Sequence, residues 1–440
     1  MARFLVAGAG VAGAASARAL LARGADVTVL DRSDSPGLSE LAHAGARIVV
    51  DPGLPSGLLD GVTDVVLSPV FAPHHPVAAA ALDRGLDVYS EPELAWRLRT
   101  PDDPPWLAVT GTNGKTTTVT MLAAMLSAAG LRTAALGNIG EPLVEAHDYD
   151  VLAVELSSFQ LYWSRDLAPQ AGAILNLADD HLDWHGSFDA YARAKTAIWR
   201  GGVAVGNLDD PRVATLLSTV DGDRTGFTLG PPGAHDLGVV DGTLVHGDVP
   251  LAPASLVRPS GTHNVANALA AAALARSYGV PADAVRAGLE SYQPQGHRNA
   301  YVATVHGVDY VDDSKATNPH AAYASLTAYD RVVWVAGGQL KGVDVGPLVA
   351  SVRGRLRGAV LLGVDRAEVA AALARHAPHV PVVDVSSVDD GAMGEVVRAA
   401  AALASPGDTV LLAPAAASLD MFTSYARRGE AFAAAVRALP

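Results

Sequence analysis

Two glycine-rich turns, GAGVAG at residues 8–13 and TGTNGKTTT at 110–118, each lie between an apolar run and a helix-forming stretch. A strand–turn–helix unit of this kind aims backbone N–H groups and a helix N-terminus at a phosphate, and it needs a parallel sheet behind it. Two such turns call for two such sheets. One dehydrogenase-like domain does not account for both.

In the first unit, Phe4 to Ala7 reads as a strand, and Gly8, Gly10 and Gly13 follow with G-x-G-x-x-G spacing. An Ala-rich helical stretch and a second strand, ADVTVLD, then end at Asp31, where an acid reaches a ribose in dinucleotide-binding units. Alone, this unit suggests NAD. In the second unit Gly111 and Gly114 let N–H groups turn inward, Lys115 offers a cation to the β- and γ-phosphates, and Thr116 can bind Mg²⁺. One position departs from the usual phosphate-loop pattern: Val109 stands where a glycine is expected. This loop suits ATP or GTP, so the first must hold something else.

The chain divides at RTPDDPP (99–105), a Pro- and Asp-rich linker, and again near SYQPQGHR, which ends at residue 298. Before the linker, VTVLD, ARIVV and DVVLSP alternate with helical stretches. After it, WLAVTG, DVLAVEL and AGAILNL read as buried parallel strands. The third segment opens with YVATVHGVDYVDD, two strands about a glycine turn, and continues with VVWVAGG, AVLLGV, VPVVDV and TVLLAP. The expected fold is therefore α/β with three domains. A Rossmann-like unit spans 1–99, a P-loop ATPase-like parallel sheet 100–298, and a second Rossmann-like unit 299–440. Residues 226–260, rich in Gly and Pro, carry only weak strand signals.

Charge narrows the partners. With 32 Lys and Arg against 46 Asp and Glu the net charge is -14, which argues against nucleic acid as the main ligand. The chain has no cysteine, which excludes disulfides, thiolate metal sites and a Cys nucleophile, and suits a reducing compartment. No apolar run approaches the roughly 18 residues of a membrane span. No signal-like segment precedes the first strand, so a cytoplasmic protein is expected.

TGTNGKTTT resembles the ATP loop of the Mur ligase family, amide-bond-forming enzymes of peptidoglycan precursor synthesis related to folylpolyglutamate synthase. Further motifs follow in the family's order: GNIG (137–140), AVELSSFQL (153–161), NLADDHLDWHGS (176–187), YARAK (191–195) and GTHNVANALAA (261–271). PQGHR (294–298), DDSKATNPHA (312–321), GGQLKG (337–342) and LLAPAAASLDMF (411–422) complete the set. ELSSFQL, DDSKATN and APAAASLD most resemble its D-glutamate-adding branch. The resemblance implies a carboxylate activated by ATP to an acyl phosphate, then attacked by an amine. The implied substrates are UDP-N-acetylmuramoyl-L-alanine and glutamate, with ATP and two Mg²⁺ ions, on a monomer.

Residue roles follow from the same resemblance. Val11, Ala12, Asp31 and Arg32 border the UDP; Asn138, Ser157 and Gln160 lie at the muramoyl-alanine end. Gly111, Thr112, Asn113, Gly114, Lys115, Thr116 and Thr117 take the phosphates, and Asn264, Asn267, His297 and Arg298 lie near the adenine. Asp313 takes the ribose, and Lys315 and Thr317 face the phosphates and the incoming glutamate. Lys341, Ser418, Leu419 and Tyr425 hold that glutamate. Thr116 and Glu155 hold one Mg²⁺, and His181 and Lys195, the latter as a carbamate, hold the second. Lys115, Asn138, His181 and Lys195 form the catalytic set.

Read from the residues alone, Lys195 on the amphipathic helix YARAKTAIW is a solvated or snorkelling charge. Glu155 ends an apolar strand, where a carboxylate is costly unless paired or metal-bound; the plain alternative is an acid facing solvent. His181 and His185 stand four apart, but with no HExxH and no third soft ligand they do not make a zinc site, and His185 is expected to cap or solvate a turn. Three positions depart from the family pattern: Val70 for Gly, Gln339 for Asp and Tyr425 for Phe. The first bears on how the uracil is held, and the last two leave open an L-glutamate-adding or folate-type ligase. An NAD-dependent oxidoreductase explains neither DDSKATN nor APAAASLD, and a catalytically dead binding protein does not need Lys115, Glu155, His181 and Lys195 together.

Overall fold

The computed structural model describes residues 2–69, 71–294, 296–340, 342–387 and 391–440, the side chain of Asp183 excepted. Two of the expectations above, on Val70 and Lys341, lie outside the described residues. The chain forms two compact units, one of residues up to Val257 together with Val265–Tyr292, the other of Arg258–Asn264 together with Gln293–Pro440.

The first unit carries two sheets. The first takes β1 (Arg3–Ala7), β2 (Asp26–Asp31), β3 (Arg47–Val50), β4 (Asp64–Leu67) and β5 (Asp87–Ser90) in the order 3-2-1-4-5, all parallel. The second has nine strands: β6 (Trp106–Thr110), β7 (Ala135–Gly137), β8 (Leu152–Glu155), β9 (Ala171–Ile174), β10 (Val203–Asn207), β11 (Arg224–Phe227), β12 (Leu237–Val240), β13 (Thr243–His246) and β14 (Val249–Pro253). Their order is 14-13-12-11-10-9-6-8-7. Every residue of β6, β8 and β9 is buried, so both faces are covered, which is why these strands read as unbroken apolar runs. Both glycine-rich turns leave the C-terminal ends of central strands, β1 and β6, where parallel sheets bind ligands.

The central sheet is parallel-rich rather than parallel throughout. β13 runs antiparallel to both neighbours, in the Gly/Pro-rich stretch with weak strand signals. Its first hairpin closes on Asp241 and Gly242, both at positive φ (46° and 72°), the backbone a two-residue Asp-Gly turn requires.

The second unit is one six-stranded sheet of β15 (Ala300–Val305), β16 (Val308–Asp312), β17 (Val332–Gly337), β18 (Leu356–Leu362), β19 (Val382–Asp384) and β20 (Thr409–Leu412), in the order 15-16-20-17-18-19. β15 and β16 form the expected hairpin, and the remaining pairs are parallel. No helix of the described residues is long and apolar enough to cross a membrane.

Candidate active site

The first glycine turn is closed by its own protein. Gly8 lies at φ 92°, and a Cβ on Gly13 would stand 1.8 Å from the Gly8 carbonyl oxygen, so both positions need glycine. Gly10 precedes the helix Val11–Leu21. The Asp31 carboxylate at the end of β2 accepts the Ala9 N–H at 2.7 Å, pinning the turn to the neighbouring strand. Val11 is 75 % exposed, Ala12 is half-buried, and Arg32 is exposed.

The second turn is braced differently. Gly111 and Gly114 have φ of 158° and 85°, and a Cβ on Gly114 would meet Asn267 Oδ1 at 2.3 Å. Asn113 donates its N–H to Asn176 Oδ1 (2.8 Å), and the Asn176 amide returns a bond to the Asn113 carbonyl (3.1 Å). The Thr112 hydroxyl meets the Tyr191 phenol at 2.8 Å. The helix Lys115–Ala128 begins at once, with Thr116 and Thr117 buried in its first turn. Asn264 and Asn267 are buried one turn apart on the helix Thr262–Ser277. Val109 is fully buried inside β6, opposite Glu155 on β8, which explains its departure: this position fills the core rather than turning toward a phosphate.

Two lysines converge on this turn. Lys115 Nζ donates to the carbonyls of Gly111 and Thr112, each at 2.9 Å, and Lys195 Nζ donates to the same Gly111 carbonyl at 2.8 Å and to the Thr110 hydroxyl at 3.2 Å. Lys195 is 1 % exposed on the helix Phe188–Thr196, so the snorkelling reading is overturned: the apolar face of that helix carries the lysine inward. Burial first, then the charge of Lys115, holds its amine well below the usual lysine range, against the opposing pull of Asp180 and Glu155.

Glu155 is also buried, which removes the solvent-facing alternative. The exposed Asn138 donates its side-chain amide to Glu155 Oε1 at 2.9 Å and its backbone N–H to the Glu155 carbonyl at 2.8 Å. Glu155 Oε2 is buried with no hydrogen-bond partner among the described residues. A buried, unanswered carboxylate oxygen close to the Thr116 turn is the hard donor set Mg²⁺ prefers, so the residues fit that ion. No group of three or more His, Cys, Asp or Glu side chains is gathered for a metal among the described residues. His181 takes φ 52° ahead of the short helix Leu182–His185, its ring 4.6 Å from Phe159 and its Nε2 3.6 Å from Asp180. His185 neither caps nor solvates a turn: Gly186 ends that helix, and His185 bonds Ser158 Oγ at 3.0 Å among the rings of Phe159, Trp184 and Tyr191.

Ser157 and Gln160 turn their polar groups on each other. Ser157 Oγ accepts the Gln160 N–H and Gln160 Oε1 accepts the Ser157 N–H, a capping box on the helix Ser158–Tyr162. The S-x-x-Q spacing was a signal for this pairing.

In the second unit, His297 (φ 63°) contacts Asp312 Oδ2 through Nδ1 at 2.6 Å. Asp313 is buried, accepts the Ser325 hydroxyl and the Asn299 N–H, and is pushed up to about 7 by burial; Arg298 pulls the other way. Lys315 donates to the Tyr425 phenol at 3.0 Å and lies over its ring, so the hydroxyl that distinguishes Tyr425 from Phe is used by a lysine. Thr317 is half-buried, Ser418 buried and Leu419 66 % exposed. Gln339 pairs with Ala417 through backbone bonds of 2.9 and 3.0 Å. Sequence reading missed Arg428, 1 % exposed, which donates to the Ser314 hydroxyl and carbonyl and to the Ala416 carbonyl. It clamps the DDSKATN turn to the APAAAS turn. Nothing in a mid-helix arginine announces that.

The chain is similar to known proteins. Residues 109–275 match the Mur ligase middle domain and residues 297–416 the Mur ligase glutamate ligase domain. A UDP-N-acetylmuramoylalanine–D-glutamate ligase from Thermobifida fusca is 54 % identical, covering 99 % of this chain and 98 % of its own. One from Streptomyces avermitilis is 52 % identical, covering 99 % and 97 %. Among solved structures, a UDP-N-acetylmuramate–alanine ligase from Thermotoga maritima shares the fold with TM-score 0.59 at 18 % identity over 99 % of both chains. A pseudomurein peptide ligase from Methanothermus fervidus does so at 0.58 and 20 % identity, over 94 % and 96 %. With relatives this similar along nearly its whole length, the chain belongs to the Mur ligase family.

Proposed function

We propose that this chain joins D-glutamate to UDP-N-acetylmuramoyl-L-alanine with ATP, a step in making a peptidoglycan precursor. One observation carries this: relatives at about half identity over 99 % of the chain bear that activity in their names. The substrate carboxylate takes the γ-phosphoryl group, ADP leaves, and the glutamate amine displaces phosphate from the acyl phosphate to form the amide. Neither step uses a protein nucleophile, so the protein's task is to hold anions close and offset their charge.

The residues divide that task. Gly111 to Thr117 cradle the triphosphate, with Asn264 and Asn267 toward the adenine. Lys115, which bonds the carbonyls of its own turn, would turn to the phosphates. Val11, Ala12 and Arg32 border the UDP on a turn that Asp31 holds in shape. Asn138 orients Glu155, and Ser157 and Gln160, committed to each other, frame the muramoyl-alanine end. Glu155 and Thr116 would hold one Mg²⁺, His181 and Lys195 a second; bound there, the ions neutralise charge on the transferring phosphoryl group.

A buried neutral amine is the form of Lys195 that attacks CO₂: nitrogen bonds to carbon, one proton leaves, and a carbamate replaces a potential cation. That exchange relieves the crowding of two lysines on one carbonyl. In the second unit, the resemblance alone gives Asp313 to the ribose, His297, Arg298 and Lys315 to ATP, and Thr317, Lys341, Ser418, Leu419 and Tyr425 to glutamate. The protein acts as a cytoplasmic monomer.

The test is phosphate release by purified protein with ATP, Mg²⁺, the nucleotide sugar and D- or L-glutamate. Release should need both substrates and favour D-glutamate. Equal release without the nucleotide sugar rejects the reading, and a preference for L-glutamate moves the chain to another branch of the family.

A further inference from the structure

The helix Glu91–Arg97 belongs to the first sheet's layer, yet its two acids reach into the layer of the second. Glu93 is 0 % exposed and fully answered: it accepts the N–H groups of Arg165, Asp166 and Leu167 at 3.0–3.1 Å, and Arg97 of the same helix donates to it at 2.9 Å. Glu91 is 2 % exposed and accepts the Val144 N–H at 2.8 Å, with no arginine or lysine paired to it among the described residues. Its charged neighbour is the like charge of Glu145, which pairs with Arg18 at 2.8 Å. Arg23, Arg99, Asp103 and His147 line the cavity beside Leu143 and Val144.

A carboxylate buried without a cation opposes folding in its charged form. Burial pushes Glu91 up to about 7, with Glu145 adding to the rise and the Val144 and Leu143 N–H groups opposing it. Stability alone does not explain such a group, but its position does. Val144 lies in the 3-10 turn Leu143–Glu145, directly after the segment 137–142 that carries Asn138. Gly137 and Gly140 fold that segment back at φ 105° and 67°. At its start, Asn138 grips Glu155 by side chain and backbone.

We propose that Glu91 is a positioning residue for the ligase reaction: from the first layer it fixes the turn at 143–145 and, through it, the Asn138 amide against Glu155. Resting on the function proposed above, this makes one helix of the sugar-nucleotide layer set the geometry of the ATP layer.

Glu91→Ala, Asn138→Ala and the double variant test it by kinetics, and Glu91→Gln by melting. Glu91→Ala, which loses the acceptor for the Val144 N–H, should lower kcat about tenfold, as expected when a group is displaced by a fraction of an ångström, with KM for ATP little changed, whereas Glu91→Gln, whose amide oxygen can still accept that N–H, should keep most of kcat. The double variant should be no slower than Asn138→Ala alone, since the two act through one chain of contacts. Melting gives an independent readout. Between 4.5 and about 7 the folded protein keeps a proton on Glu91 that the unfolded chain has lost, so this group costs stability as pH rises through that window. Glu91→Gln should remove that loss, so its melting temperature relative to wild type rises from pH 5 to pH 8. Should Glu91→Ala not fold, Glu91→Asp, which keeps the charge and shortens the reach, should show the same loss of kcat. Additive effects in the double variant, or wild-type kcat in Glu91→Ala or Glu91→Asp, overturn the proposal. A wild-type protein that does not turn these substrates over rejects the function instead.

Discussion

The two glycine turns have the same plan, strand then turn then helix, and opposite electrostatics. The first is braced from within: Asp31 takes the Ala9 N–H, and Gly13 is glycine because the Gly8 carbonyl leaves no room for a Cβ. The second gathers charged groups. Lys115 and Lys195 share the Gly111 carbonyl, and Glu155 keeps a buried oxygen without a partner. A turn braced by a neighbouring strand keeps its shape for a ligand without adding a cation of its own. A turn with a lysine and an unanswered carboxylate beside it suits a phosphate together with a metal ion. Glycine spacing alone does not separate the two. The charges around it do.

The largest effect should come from removing a lysine of the second turn. Lys115→Ala should lower turnover at least about a thousandfold, the scale of losing a preorganised charge at the transition state, with an unchanged melting temperature. Near-normal turnover in the folded variant would remove the contrast between the turns.

Lys195→Ala should follow, with a loss of about a hundredfold, since it removes a group held against the phosphate turn. Acetate or formate, entering the vacated space, should restore part of the activity. Lys195→Arg should stay inactive, because a guanidinium keeps the charge and forms no carbamate. Full activity in Lys195→Arg would refute the carbamate and leave Lys195 as a plain structural cation.

Alanine at the two turns sharpens the comparison from the backbone side. In Gly13→Ala the new Cβ meets a backbone oxygen that cannot move aside, so the cost falls on folding, at several kcal/mol. In Gly114→Ala the Cβ meets the end of the Asn267 side chain at φ 85°, so the fold survives with about 1–2 kcal/mol of strain while nucleotide binding weakens. Melting curves and ATP titration separate the outcomes. Equal effects on both measurements would make the turns alike.

What the sequence could reveal follows from these same features. Strands buried on both faces, such as WLAVT and LAVE, announced themselves as apolar runs, and the ATP turn by its glycines and Lys115. The hairpins of 237–253 were obscure because short, half-exposed strands lack such runs, although Asp241-Gly242 was a usable turn signal. Lys195, Glu91 and Glu93 were misjudged or missed for one reason. Each is a charged residue whose burial depends on an element far along the chain, and local periodicity assigns charges to the solvent. Arg428 is hidden the same way, since Ser314 and Ala416 meet it only in the folded sheet.

The smallest effect belongs to the braced turn. If Asp31 props the turn, Asp31→Ala forfeits one charge-assisted hydrogen bond, about 1.5–3 kcal/mol, and the loosened turn binds the nucleotide sugar less well. That should appear as KM for this substrate raised about tenfold or more, with kcat and KM for ATP unchanged, because the contact serves ground and transition states equally. Asp31→Asn is the discriminating variant. Its amide oxygen can still accept the Ala9 N–H, so a propping role predicts that most of the affinity returns. An acid that instead reads a ribose hydroxyl with its free charge predicts that Asn binds no better than Ala. Equal losses in the two variants would mean that the first turn, like the second, depends on a charge directed at its ligand, and the contrast between them would fail.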